Sequence, residues 1–139
     1  MQDSVLVKYA SARQPPAGKP DAIVEGEPPD DLGAFGWLRG TRERAVMLEL
    51  RRKDGSITAF AYAWLERAEF DPSEGITLRF GMEKVRITGR NLNGEARPNI
   101  RLFAGIVRHR VPWIQEADQP AAMEAGRGAV VVEDIGFNK

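Results

Sequence analysis

The chain has 139 residues, no cysteine, and 20 Lys+Arg balanced by 20 Asp+Glu. This length suits one domain that buries about two thirds of its unfolded surface without help from a metal, and the lack of cysteine excludes thiol nucleophiles, zinc–thiolate sites and disulfides. Because no apolar run approaches the ~20 residues of a membrane helix and the first ten residues lack signal-peptide features, we expect a cytoplasmic protein with no membrane partner.

The N-terminal segment, residues 1–31, is predicted to be a flexible, proline-rich arm. Residues 11–31 contain five prolines and few large apolar side chains, so they cannot bury enough surface to offset the entropy cost of ordering. Before them, Val5-Leu6-Val7 has the composition of a short strand that docks on the domain.

Residues 32–118 are predicted to form the folded domain, and they are mildly basic, with 15 Lys+Arg against 11 Asp+Glu. A basic surface attracts polyanions, and arginine, which supplies 15 of the 20 cations, suits phosphate contacts. The excess is far below the dense basic patch of a dedicated nucleic-acid-binding protein.

The first strands of this domain are predicted between residues 46 and 65. Apolar side chains alternate with polar ones over 46–51, which places Val46 on the inner face of a strand. Asp54-Gly55 then predicts a hairpin turn, because both residues adopt positive φ readily. Residues 57–65 are apolar on both faces, which predicts a single strand covered on both sides, with Trp64 in the core.

The second half of the domain begins at a turn over 70–75, where Pro72 presets φ. Apolar and polar residues alternate again over 76–80 and 84–88. The period then changes to that of a helix over 99–109, for which Asn99 is the predicted N-cap.

Residues 111–116 are predicted to be the last core strand, with Trp113 explained as a core residue. Residues 117–128 are expected to be a linker. The β-branched and acidic segment 129–135 is expected to be an edge strand or docking segment, so 119–139 form a C-terminal extension of the domain.

The predicted fold is therefore mainly β. Isolated hairpins are marginal in water, and exposed edges invite aggregation, so a small sheet gains by curling on itself. We expect a small, strongly bent, five-stranded antiparallel barrel with one short helix before the last core strand.

The segment 46–92 resembles the Sm-like (LSm) family of small barrels. The first signature of that family has a glycine after strand one and an aspartate after strand two, and Gly55 and Asp71 match them. The second has an apolar residue, a basic residue, glycine and asparagine before an apolar residue; the matching residues are Ile87, Gly89, Asn91 and Leu92.

Two positions depart from the family pattern. Gly75 stands in place of the asparagine that contacts RNA, and Thr88 stands in place of the basic residue, although Arg90 supplies a cation two positions after Thr88. The resemblance implies a barrel, single-stranded RNA as a partner, and homo-oligomers joined by edge strands. An SH3-type barrel, which also has a helical turn before its last strand, fits the same pattern.

Two interpretations of Gly89-Arg90-Asn91 stay open. In the first, the three residues line a nucleotide pocket and Arg90 contacts a phosphate or stacks on a base. In the second, Gly89 only permits a positive φ at a strand end and Asn91 caps the turn. Trp37, within the glycine-flanked FGWLRG, is either a surface contact for RNA or a plug at one end of the barrel.

No catalytic residue, metal site or cofactor is predicted. The acidic residues Glu66, Glu69, Asp71 and Glu74 follow no known calcium-loop spacing. His109, the one histidine, is placed at a helix end, where a cation favours the dipole, and no serine has a nucleophile-elbow context. We expect a non-enzymatic binding or assembly module that self-associates, or alternatively an RNA-binding protein that uses the Gly89-Arg90-Asn91 loop.

Overall fold

The structure, a computed structural model, describes residues 28–138. The predicted docking strand at Val5–Val7 and most of the predicted arm lie outside these residues. By internal contacts the described residues belong to two units, 29–38 with 44–138 in the first and 28 with 39–43 in the second. All described strands and helices belong to the first unit.

The fold is mainly β, with 46% of the described residues in strands and 14% in helices. The strands are β1 (Asp30–Asp31), β2 (Gly36–Trp37), β3 (Met47–Arg51), β4 (Ile57–Ala61), β5 (Leu65–Asp71), β6 (Gly75–Phe80), β7 (Glu83–Arg90), β8 (Glu95–Arg97), β9 (Ile100–Arg101), β10 (Trp113–Gln115) and β11 (Val131–Phe137). The helices are a 3₁₀ turn (Tyr62–Trp64), α1 (Leu102–Val107) and α2 (Gln119–Glu124). No helix among these is long and apolar enough to span a bilayer.

Two open sheets carry most of the fold. One is four-stranded and antiparallel, in the order β11-β7-β6-β5, and the other is three-stranded, in the order β10-β3-β4. The pairs β1-β2 and β8-β9 are small hairpins, so residues 30–31 are strand rather than the predicted arm. Because the sheets are open, the predicted five-stranded barrel is not confirmed.

One pairing departs from the predicted antiparallel arrangement. β10 runs parallel to β3, with Trp113 opposite Glu49 and Gln115 opposite Arg51. Parallel neighbours need a long connection, and the chain between β3 and β10 provides one because it contains the four-stranded sheet's β5, β6 and β7 together with α1.

The hairpin and turn predictions around β3 and β6 are confirmed. β3 pairs with β4 across the turn that contains Gly55, whose φ is +93°. β5 pairs with β6 across the turn that ends at Gly75, whose φ is +101°. Val46 was expected on the inner face, but it lies before the start of β3 and is 78% exposed.

The prediction of a single covered strand over 57–65 is wrong. β4 ends at Ala61, the 3₁₀ turn follows, and β5 then joins the other sheet. Tyr62 is buried, and its hydroxyl donates to the carbonyl oxygen of Val111 at 2.6 Å. A buried tyrosine hydroxyl requires such a partner. The turn that directs Tyr62 inward leaves Trp64 64% exposed instead of in the core.

The helix is shorter than predicted. α1 begins after the N-cap Arg101, not after Asn99. Asn99 lies in the β8-β9 hairpin with a φ of +66°, a left-handed conformation that asparagine tolerates better than most residues. Leu102 and Ile106 of α1 are buried, whereas Val107 is half exposed.

The C-terminal segment is more ordered than the predicted linker. α2 occupies Gln119–Glu124. Asp118 is its N-cap, and Oδ1 of this residue accepts a hydrogen bond from the backbone amide of Ala121 at 2.9 Å. β11 follows and pairs antiparallel with β7, with a register shift between Val132 and Asp134. Residues 131–137 are therefore the edge strand of the four-stranded sheet.

One hydrophobic cluster is shared by both large sheets and α1. Its fully buried members include Phe35, Leu48, Leu50, Ile76, Leu78, Val85, Ile87, Leu102, Ile106, Ile114 and Ile135. Among the described residues the one buried charged side chain is Glu116, which is 6% exposed. Its Oε1 accepts a hydrogen bond from the backbone amide of Lys53 at 2.8 Å, and its Oε2 accepts one from the backbone amide of Ile135 at 2.6 Å.

We expect Glu116→Gln to lower the free energy of unfolding by about 1–3 kcal/mol, because the new amide group faces a backbone donor and leaves it unpaired. Urea unfolding measures the change. The matched control is Glu124→Gln on the exposed side of α2, for which the change should stay within about 0.5 kcal/mol. Equal effects of the two substitutions would contradict the role assigned to Glu116.

Candidate functional site

Gly89-Arg90-Asn91 lies at the end of β7, beside β11. Val132 is opposite Gly89, and Val131 is opposite Arg90. A Cβ atom on Gly89 would lie 2.0 Å from the carbonyl oxygen of Val131. Gly89 is not among the residues with positive φ, so the glycine is required for the close approach of two backbones, and the predicted reason, a positive φ at this position, is wrong.

Arg90 and Asn91 both bind the C-terminal segment. The Nη2 atom of Arg90 donates to the carbonyl oxygen of Ala122 at 2.7 Å, and its Nε lies 3.3 Å from Oε2 of Glu133. Asn91 has a φ of +56°, and its Nδ2 donates to the carbonyl oxygen of Ala129 at 2.9 Å. The two side chains therefore fasten the chain that leads into β11.

An open groove of about 350 Å³ runs beside this loop. Gly89 and Asn91 line it together with residues of the turn before β6, but neither Arg90 nor Trp37 does. Trp37 is half buried in β2, where its ring packs against Gly105 of α1 and lies 5.5 Å from the guanidinium of Arg110. The structure thus brings together Gly89 and Asn91, but not all four predicted residues.

The acidic turn is explained by bonds within the chain. Oδ1 of Asp71 accepts two hydrogen bonds from Ser73, one from the hydroxyl at 2.7 Å and one from the backbone amide at 2.8 Å. These bonds hold the pKa of Asp71 below its usual range. Glu74 pairs with Arg86. Within residues 28–138, no three His, Asp or Glu side chains are grouped so as to hold a metal ion.

His109 and Trp113 also have structural contacts. The ring of His109 stacks on the ring of Tyr62, with 4.4 Å between centroids, and its φ is +58° just after α1 ends. Trp113 was expected in the core but is half buried, and the guanidinium of Arg51 lies 4.5 Å from its ring centroid. A Cβ on Gly36 would lie 2.4 Å from that indole.

The four-stranded sheet carries a feature that the sequence analysis did not identify. On its outward face Arg67, Arg79 and Lys84 are directly opposite one another on β5, β6 and β7. We call these three residues the cation row. The row and the neighbouring charged residues line an open groove of about 400 Å³.

Two members of the cation row have no partner among residues 28–138. Arg67 pairs with Glu69 at 2.6 Å, on the same strand. The side chains of Arg79 and Lys84, in contrast, form no hydrogen bond or ion pair with any residue that the structure describes. Like charges directly opposite in a sheet are destabilising.

Part of the cation row follows from local sequence. β6 and β7 are joined by the two-residue turn Gly81-Met82, in which Gly81 has a φ of +61°, as a type II′ turn requires at its first central position. Such a turn puts Arg79 opposite Lys84. The place of Arg67 depends on the register shift between Leu65 and Arg67 in β5, which no local motif indicates.

We expect Gly89→Ala to lower the free energy of unfolding by roughly 1–3 kcal/mol or more, because β11 must move away from the new methyl group. Urea unfolding measures this loss, and faster amide exchange in β11 locates it. In the control Gly126→Ala, the new methyl group meets no atom within 4 Å, so stability should be kept. If both variants are as stable as the original chain, β11 does not require the glycine.

Comparison of the chain with family models found no match, and comparisons with characterised proteins and with solved structures found no significant match either. The Sm-like resemblance is therefore neither supported nor contradicted and stays a prediction.

Proposed function

We propose that this chain is a non-enzymatic binding and assembly module whose copies self-associate along the free edge of β4. The observation that carries the proposal is the character of this strand. Within the described part of the chain, β4 pairs only with β3, and Ile57, Thr58 and Ala59 are all exposed. From Ile57 to Leu65 the chain has no charged side chain.

Natural edge strands are normally protected against pairing with another chain. Charged side chains, prolines, bulges and very short strands are the usual protection. β4 has five residues without charge, proline or register shift. The backbone groups on its outer side have no partner strand among residues 28–138 and can pair with a second strand.

A second copy of the chain is the partner that fits this edge. Antiparallel pairing of β4 with itself, centred on Ala59, repeats the same contacts on both sides, as two-fold symmetric interfaces require. Two large apolar side chains beyond β4 are exposed, Trp64 at 64% and Met82 at 94%. The ring of Trp64 lies beside Gly81, the residue before Met82, at 3.7 Å from the position that a Cβ atom on this glycine would take. Tryptophan and methionine are enriched at interfaces.

The predicted barrel belongs to the same proposal. The two large sheets share one core, and the 3₁₀ turn joins β4 of one sheet to β5 of the other. These features support a small, strongly bent Sm- or SH3-like architecture. In Sm-like proteins edge strands join neighbouring subunits, so the resemblance points to the same kind of assembly.

Ala59→Lys should convert the dimer, with twice the 15.4 kDa of one chain, into a monomer. In the single chain the new lysine lies opposite Glu49, a favourable cross-strand pair, whereas in the dimer two lysines face each other. Native mass spectrometry and sedimentation measure the mass.

The matched control is Ala59→Thr, which keeps the edge uncharged and should remain dimeric. A monomeric original chain at high concentration, or a dimeric Ala59→Lys variant, would rule out assembly through β4. Deleting residues 1–27 tests whether that segment occupies the edge instead: a chain that dimerises only after the deletion would show that the edge is covered in the intact protein and would contradict the proposal.

Single-stranded RNA is the second candidate partner. The groove of about 350 Å³ beside Gly89 and Asn91 supports it, because ligand sites begin at roughly 300 Å³. A phosphate bound by Arg90 has to replace Glu133 as its partner.

RNA binding at this loop predicts that Arg90→Ala weakens the affinity for short single-stranded oligonucleotides, and that affinity falls steeply with salt. Fluorescence anisotropy with a labelled oligonucleotide measures both effects. Arg127→Ala, on the exposed loop after α2, is the control and should bind as the original chain does. Absence of binding at low salt would eliminate this candidate.

A further inference from the structure

The cation row is an arrangement that an isolated sheet does not favour. Arg79 and Lys84 are direct cross-strand neighbours, and adjacent strands lie only about 4.8 Å apart. Neither cation has a carboxylate partner among residues 28–138. An anion bound between them would replace a repulsion by two attractions.

Arg86 adds a third cation beside this pair. It lies two residues after Lys84, so both point outward from β7, roughly 7 Å apart along the strand. Glu74 accepts from Nη2 of Arg86, whereas Nε is buried and has no hydrogen-bond partner in the described part of the chain. A guanidinium offers five donors, so the pair with Glu74 leaves some of them available.

We propose that Arg79 and Lys84, with Arg86 beside them, bind a compact oligophosphate, that is a pyrophosphate or triphosphate group, on the outward face of the four-stranded sheet. Arginine and lysine are the residues that bind phosphate oxygens, arginine through paired N–H groups and lysine as a point charge. The site lies on a different sheet from β4 and does not depend on self-association.

Acidic side chains confine the ligand to one end of this face. Glu69, Asp71 and Glu74 line the same groove toward the turn that precedes β6, and Asp134 on β11 lies opposite Thr88. Phosphates are repelled there and attracted toward the Gly81-Met82 turn. The attractive area spans two strands, β6 and β7, about 4.8 Å apart, and about 7 Å along β7, which suits a compact group.

An extended nucleic acid fits this face poorly. The outward residues of β5, β6 and β7 are charged, glycine or threonine, with no aromatic ring. Proteins that bind single strands combine cations with aromatic rings on which the bases stack. The outward residues of these strands therefore favour phosphate groups over stacked bases.

Isothermal titration of the full chain with inorganic triphosphate at low salt tests the proposal. We expect binding that weakens with added salt, and an affinity lowered roughly tenfold by Arg79→Gln or by Lys84→Gln, since each loses a charge-assisted contact. Arg127→Gln is the control and should bind as the original chain does. A nucleoside triphosphate that binds more tightly identifies a nucleotide as the ligand, and equal affinity identifies the phosphate group itself.

Loss of binding through misfolding is separable from loss of the site. Without ligand, Arg79→Gln and Lys84→Gln should unfold at a temperature no lower than the original chain, because each removes one of two opposed like charges. No triphosphate binding at low salt, full binding by both variants, or an equal loss in Arg127→Gln would overturn the proposal. Tighter binding of a single-stranded oligonucleotide than of triphosphate would also overturn it.

Discussion

The buried carboxylate of Glu116 is the contact on which the arrangement of the sheets depends. It accepts the amide of Lys53, at the end of the three-stranded sheet, and the amide of Ile135, on β11 of the four-stranded sheet. A charged group is buried at low cost only when hydrogen bonds replace its water. Here both partners are backbone donors, so the bonds fix the position of the chain itself and not of a mobile side chain.

This contact also determines where the C-terminal strand lies. The amide of Ala117, the next residue, donates to the carbonyl oxygen of Val132 at 2.8 Å, so β11 is held from one side by 116–117 and from the other by β7. Gly89 lets the backbones of β7 and β11 approach, and Arg90 and Asn91 bind the segment before β11. The Gly89-Arg90-Asn91 motif, which resembles an RNA-binding loop, thus contributes to the attachment of β11 to the sheet.

Two surfaces lack such an internal explanation, and they are on different sheets. The edge of β4 leaves backbone donors and acceptors without a neighbouring strand in the described residues. The cation row places Arg79 beside Lys84, and neither has a counter-charge within residues 28–138. The two proposed partners, a second strand at β4 and a multiply charged anion at the cation row, would each relieve an unfavourable feature. An assembly module that also binds an oligophosphate is consistent with both.

The sequence by itself determined the features that depend on near neighbours. Alternation of apolar residues located β3, β6 and β7 and placed Leu48, Leu78 and Ile87 inward, because the two faces of a strand are set by its own pleat. The turns at Gly55 and Gly75 were also predictable, since a positive φ favours glycine locally. The same reasoning extends to the opposition of Arg79 and Lys84 across a two-residue turn.

Tertiary structure alone decided the rest, because the partners lie far apart in the chain. The carbonyl oxygen of Val111 accepts a hydrogen bond from the hydroxyl of Tyr62. This bond forms where the expected strand is broken and Trp64 is exposed. Three further features depend on residues more than 40 positions away in the chain. β10 pairs in parallel with β3, Gly89 is required by the approach of β11, and Glu116 is buried against the amide of Lys53. Local periodicity carries no information about which distant carbonyl or strand becomes the neighbour.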